Sequence, residues 1–349
     1  MNLDQHQDFS KIDQSNMLQE IIELPEQLQK AWELGQGFPL SDYSSIRQIV
    51  VAGMGGSAIG ASLVKAYTAP LLNIPLEVHR DYLLPAWAAG PETLVVASSH
   101  SGNTEETRSA FDTARGNGCR LLVITTGGAL AEKSQEANCD LWQFEHSGQP
   151  RAAVGYSFGL LLALLSRLEL IPDQSEEIQQ AYSDLLDQRT VISPEVTTAK
   201  NPAKREAGQL VDRWVSVFGA DYLAPVARRW KGQISEVAKA WAQFEALPEA
   251  DHNTLAGVVN PEQVLLKTMT LFLRSDFNHP RNQRRVDLTK KNFMLEGLNT
   301  DLVEARGSSR LSQMWTLIHF GDFLAYYLAL MYGVDPTPVA AIENLKSEL

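Results

Sequence analysis

Short apolar runs, each followed by a turn rich in glycine or hydroxyls and then by a helix-period segment, recur along the first half of the chain. Gln48-Ile49-Val50-Val51-Ala52 runs into Gly53-Met54-Gly55-Gly56-Ser57 and an apolar helix through Val64. Leu94-Val95-Val96-Ala97 ends in Ser98-Ser99-His100-Ser101-Gly102-Asn103-Thr104 and another helix. Arg120–Thr125 leads into a helix beginning near Gly128, and further strands are expected at Leu76–His79 and Leu141–Phe144. Strands alternating with helices at this spacing predict a doubly wound, mostly parallel sheet.

The flanking stretches read differently. Residues 1–45 are polar, with Met17, Ile21, Leu24 and Leu28 at helical spacing, and are expected to form a helical arm packed on a core. Residues 46–171 form the first α/β domain, and the polar segment 172–205, with Pro172, Pro194 and Pro202, reads as a linker with a helical middle. The pattern then starts again over 206–349. Strands are expected at Val215–Gly219, Leu271–Ser275 and Leu302–Ala305, a long helical stretch after the first, and an apolar helix around Trp315–Met331. This half reads as a diverged repeat of the same unit.

Composition narrows the function. With 349 residues the chain can fill two cores. The apolar runs near Phe158–Leu165 and Phe323–Met331 are shorter than the roughly 20 residues a membrane span needs, and the N-terminus carries no signal-peptide pattern. Cys119 and Cys139 are too few for a disulfide framework or a thiolate zinc site, which fits a reduced cytoplasm. No histidine, cysteine and carboxylate cluster has metal-ligand spacing. A net charge of −12 argues against nucleic acid or an anionic membrane as partner. A phosphate ligand would have to be held by local features.

Two loops offer such features where open α/β sheets bind ligands, at the carboxyl ends of strands. Ser99-His100-Ser101-Gly102-Asn103-Thr104 clusters three hydroxyls and a glycine at a helix start, where free N–H groups and the helix dipole favour an anion. The bland alternative is a capped helix, since Asn103 and Glu106 have capping-box spacing. Gly53-Met54-Gly55-Gly56-Ser57-Ala58 matches the permissive dinucleotide pattern G-x-G-x-x-A, so a nicotinamide-dependent oxidoreductase is one reading. That pattern wants an acidic residue closing the second strand; Glu77 precedes the strand's expected end, and His79-Arg80-Asp81 leaves the point open. The glycines equally suit backbone approach to a small sugar, with Ser57 at a helix N-terminus.

Together these loops resemble the sugar isomerase (SIS) fold, and the whole chain resembles the bifunctional phosphoglucose/phosphomannose isomerases of the phosphoglucose isomerase superfamily. Pro150-Arg151-Ala152-Ala153-Val154-Gly155-Tyr156 is similar to their arginine segment. Trp230–Lys239 is similar to the segment of the catalytic glutamate, and Pro248–Asn253 to that of the catalytic histidine. Asp335-Pro336-Thr337-Pro338 with Lys346 resembles their C-terminal lysine region. Three positions depart from the pattern: Ser235 and Asp251 stand where asparagines are usual, and Ala58 where a glycine is.

The resemblance implies two tandem SIS-type domains, each a mostly parallel sheet flanked by helices, and an aldose–ketose isomerase that needs no cofactor. It implies that Gly55, Gly56, Ser57, Ser99, Ser101 and Thr104 bind the phosphate and sugar end, and that Arg151 steadies the negative charge of an enediolate. Glu236 would move a proton between C2 and C1. His252 and Lys346 would handle the protons of ring opening. Residue types alone do not select Glu236 over Glu245 or Glu249. If one helix carried both Glu236 and Glu245, nine residues apart, they would face opposite ways at about 100° per residue. Because the enediol erases the configuration at C2, one base can serve glucose and mannose 6-phosphates, and Thr337 is the candidate for accepting mannose. The resembled family also implies a homodimer whose histidine enters the neighbour's site. A non-catalytic SIS module that senses a sugar phosphate remains the alternative that keeps the phosphate loop alone.

Overall fold

The computed structural model describes residues 1–348. Its first half contains α1 (Met17–Ile22), α2 (Leu24–Gly37), β1 (Gln48–Ala52), α3 (Gly55–Thr68), β2 (Leu76–His79) and β3 (Thr93–Ser98). There follow α4 (Glu105–Gly116), β4 (Arg120–Thr125), α5 (Gly128–Ala137), β5 (Asp140–Gln143), α6 (Val154–Arg167) and α7 (Ser175–Ile192). The second half contains α8 (Pro202–Leu210), β6 (Trp214–Ala220), α9 (Ala224–Glu236), β7 (Ala242–Leu247), α10 (Glu262–Leu265) and β8 (Thr268–Arg274). It closes with α11 (Pro280–Leu295), β9 (Asn299–Glu304), α12 (Arg310–Tyr332) and α13 (Ala340–Glu348).

The chain divides into two compact units, residues 24–182 and residues 1–23 with 183–349. Within the first, the strands pair in parallel in the order β2-β1-β3-β4-β5. Its central strands β1 and β3 are the continuous apolar runs of the sequence, and both are buried almost throughout, as a sheet covered on two faces requires. The second unit pairs β7-β6-β8-β9, again in parallel. Its order repeats that of the first four strands of the other sheet, and among the described residues no fifth strand follows β9. The α/β class and the two SIS-type sheets are therefore present.

Two features differ from the pattern-based expectation. The stretch 1–45 is divided: residues 1–23 belong to the second unit and α2 to the first. Buried polar contacts explain the division. Tyr326 of α12 donates to Asp13, whose carboxylate accepts the N–H groups of Met17 and Leu18, and Lys204 donates to the carbonyls of Leu3 and Pro194. Gln27 of α2 instead bridges Ala152, just before α6, and Gly155 in its first turn. Within the segment 172–205, α7 forms the helical middle and α8 opens at Pro202 after the Asn201 cap. Finally, the helix after β6 stops at Glu236, and Ala-Gln-Phe-Glu-Ala-Leu over 242–247 forms edge strand β7. Those residues favour helix intrinsically, and only pairing with β6 makes them a strand. Glu245 thus lies on a strand, and the opposite-faces argument on one helix does not apply.

Candidate active site

In the first unit, β1 and β3 are neighbours and their carboxyl ends carry the two loops. Ser99 is buried, its N–H bonded to the Ile124 carbonyl at 3.0 Å and its Oγ 2.9 Å from Thr104 Oγ1. Between them Gly102 turns through the left-handed region at φ 67°, and a Cβ there would fall on the Gly127 carbonyl. Ser101 is exposed, and its Oγ accepts the Asn103 N–H at 3.2 Å. Thr104 is the N-cap of α4 and makes no side-chain cap bond. Asn103 does not form the capping box its spacing allowed. Its amide oxygen accepts the Ala129 N–H at 3.0 Å, across at the start of α5. The first turn of α4 therefore has hydroxyls beside it and no side-chain cap, an arrangement that suits an anion.

Arg151 reaches the other loop. It sits in a short turn, Pro150–Ala152, and a Cβ on Gly56 would lie 2.3 Å from the Pro150 carbonyl oxygen, so only glycine lets this turn seat against the start of α3. Gln27 holds the turn from behind, donating to Ala152 at 3.0 Å and accepting from Gly155 at 2.7 Å. Gly55 stands at φ 47° with open space around it, and Ser57 is buried in the first turn of α3. Arg151 is itself buried, with one guanidinium nitrogen 3.2 Å from Gln149 Oε1. The structure so brings Gly55, Gly56 and Ser57 together with the Arg151 turn.

One neighbour of the hydroxyl loop was not legible in the sequence. The His100 and His146 rings share a hydrogen bond of 2.9 Å, and His146 packs edge-on against Tyr156. Burial and the adjacent His146 push the His100 imidazole down to about 4, and burial with the Lys30 charge lowers His146. Both rings are neutral at pH 7. Forty-six residues separate them, so no local pattern links them.

The second unit carries the proposed proton-transfer groups. Glu236 is half-buried at the last residue of α9. That helix is braced on α12: Arg229 and Gln233 both donate to buried Asp322, at 2.6 and 2.9 Å, and the Trp230 indole donates to Leu317. His252 is exposed at the end of a short turn, Glu249–His252, that follows β7. Asp251 anchors this turn to α11, its two carboxylate oxygens accepting from Arg285 at 2.8 Å and Thr289 at 2.7 Å. The departure from asparagine at 251 thus supplies an ion pair that an amide could not.

Glu236 closes α9 ahead of β7, and His252 lies in the turn that follows β7. Helix α9 returns antiparallel to β6 and β7, so Glu236 stands near the start of β7 while His252 lies beyond its end. Six residues of strand at about 3.3 Å each put some 17 Å between those levels. Thr337 is buried, and its N–H donates to Asp335. Lys346 lies exposed on α13, none of whose residues is buried.

Among the described residues no three His, Cys, Asp or Glu side chains are grouped to hold a metal ion, and no helix is long and apolar enough to cross a membrane. Glu77, inside β2, pairs with Lys65 at 2.8 Å on the surface.

The paired parallel sheets, with an uncapped hydroxyl loop and a glycine turn at adjacent strand ends, define a SIS-type protein. A general SIS domain model matches residues 42–160, and the model of the bacterial phospho-glucose isomerase C-terminal SIS domain matches residues 199–349. A bifunctional phosphoglucose/phosphomannose isomerase of Caldicellulosiruptor bescii is 40% identical over 95% of this chain and 98% of its own length. One of Aquifex aeolicus is 35% identical over 88% and 92%. Among solved structures, the C-terminal domain of glucosamine-fructose-6-phosphate aminotransferase from Francisella tularensis covers 93% of this chain and 97% of its own. Its TM-score is 0.71 at 15% identity, which bears on the fold alone. The chain belongs to the bifunctional phosphoglucose/phosphomannose isomerase family, and it is an enzyme of the isomerase class.

Proposed function

We propose that this enzyme interconverts glucose 6-phosphate, and also mannose 6-phosphate, with fructose 6-phosphate through an enediol. The observation that carries the reading is the pairing of family membership along the whole chain with the Ser99–Thr104 loop at an uncapped helix start. Ser57, Ser99, Ser101 and Thr104 hold the phosphate, with Gly55 and Gly56 allowing the sugar close. His252 and Lys346 exchange the protons that open the ring, one going to the ring oxygen as another leaves the anomeric hydroxyl. The Glu236 carboxylate then takes the proton from C2, the electron pair moves towards the C1 carbonyl, and Arg151 offsets the charge on the resulting enediolate. As O1 gains a proton and the C2 hydroxyl loses one, return of the carbon-bound proton from Glu236 to C1 leaves a ketone at C2 and a hydroxymethyl group at C1. Electrons stay within the substrate, so the reaction calls for no external oxidant.

The working form is a homodimer in which His252 serves the neighbour's Glu236. Support comes from the separation of the two residues along β7 and from the exposure of His252. Thr337 assists acceptance of mannose 6-phosphate. A cytoplasmic setting agrees with two free cysteines whose thiols burial pushes up. The test is a coupled assay that follows fructose 6-phosphate formed from each sugar phosphate. Binding of both without turnover of either would replace the isomerase with a sugar-phosphate sensor.

A further inference from the structure

Lys239 stands three residues beyond Glu236 with its backbone in the left-handed region, φ 54°. Helix ends select glycine for that conformation, because a Cβ there is strained. The lysine keeps the strained backbone and uses its side chain on carbonyl groups. Its Nζ lies 2.6 Å from the carbonyl oxygen of Glu236, 3.4 Å from that of Val237 and 3.2 Å from that of Pro336. The first two acceptors sit at the negative end of α9, where a cation is favoured. The third belongs to the segment that carries Thr337, whose own N–H is turned onto Asp335 at 2.9 Å. One ammonium therefore joins the end of the Glu236 helix to the Thr337 segment, within a single unit.

We propose that Lys239 is a positioning residue for the isomerisation, fixing the Glu236 backbone against the Thr337 segment. This rests on the reading of Glu236 as the base. The Lys239 ammonium lies within hydrogen-bonding reach of three backbone oxygens, and through them it acts on Glu236 and the Thr337 segment. The residue sets both the approach of the carboxylate to C2 and the relative acceptance of the two epimers. A displacement of about 1 Å at a reacting group is enough to cost up to about 10²-fold in rate.

Lys239→Gly separates this role from plain helix capping. Glycine relieves the backbone strain, so a capping role alone predicts equal or higher thermal stability and unchanged turnover. The positioning role predicts a kcat lower by about tenfold with KM little changed, a shifted ratio of glucose to mannose turnover, and recovery in Lys239→Arg, whose guanidinium can reach carbonyls. Should the glycine variant not fold, Lys239→Met, which keeps the stem and loses the charge, is read against Lys239→Arg by the same kinetics. Turnover within twofold of the parent enzyme in Lys239→Gly or Lys239→Met overturns the proposal. Glu236→Gln is run alongside. If that variant is inactive while Lys239→Gly is fully active, only the positioning role falls, and if it is active, the assignment of the base falls as well.

Discussion

Ser99 Oγ lies 2.9 Å from Thr104 Oγ1, closing the hydroxyl loop on itself across His100, Ser101, Gly102 and Asn103. The bond joins a buried residue at the end of β3 to the N-cap of α4, so both hydroxyls are held beside a helix start before any anion arrives. Preorganisation of this kind lowers the ordering cost of binding.

Replacing both residues, Ser99→Ala with Thr104→Ala, removes two donors to a charged group, each worth about 1.5–3 kcal/mol. Affinity for phosphorylated sugars and for inorganic phosphate should weaken together by at least about tenfold, as read by calorimetric titration. If phosphate binds the double variant as before, the loop is a helix start and nothing more.

Glu236→Gln keeps the size and hydrogen-bonding reach of the side chain but cannot accept a proton. Turnover on both epimers should drop by at least about 10² while sugar-phosphate affinity survives. Near-normal kcat in this variant would hand the role of base to another group.

The buried carboxyl of Glu206 offers a pH signature. The Gln209 amide donates to its carboxylate at 3.4 Å and to that of neighbouring Asp301 at 3.2 Å. Burial first and the Asp301 charge second push it from an ordinary 4.5 up to about 8. The folded chain therefore keeps a proton that the unfolded chain releases. Its contribution to stability is full below about 4.5 and is lost as pH rises through about 8. Glu206→Gln, neutral at every pH, should flatten that decline and unfold at a higher urea midpoint than the parent at pH 8. Identical pH slopes for the two proteins would count against it.

What could be read from sequence followed the locality of the signal. β1 and β3 are apolar runs ending in glycine or serine turns, so pattern alone located them and both loops. β7 was missed because Ala, Gln, Glu and Leu favour helix and its strand identity comes from pairing with β6. The division at Glu23 and Leu24 rests on contacts such as Tyr326 to Asp13, 313 residues apart, which no window can contain. His146 escaped notice for the same reason. Asp251 looked like a departure of unknown effect, and only Arg285 and Thr289 give it a purpose.

The placement of Glu236 and His252 at opposite ends of β7 leads to the most decisive experiment on assembly. About 17 Å of strand separates the level of the base from that of the histidine, an arrangement that suits a histidine supplied by a second chain. In a twofold dimer the exchange is reciprocal, each chain lending His252 to the other's Glu236. Glu236→Gln and His252→Ala chains, each inactive alone, are unfolded together and refolded as mixed dimers. With the histidine acting across the interface, one site of each heterodimer carries both defects and the other carries neither. Activity should then return to about a quarter of the parent level for statistical mixing, because half of the dimers are mixed and half of their sites are intact. With the histidine acting within its own chain, every site keeps one defect and the mixture stays inactive. Heterodimers verified by mass spectrometry without regained turnover would place both residues in one chain's site and require the turn held by Asp251 to move.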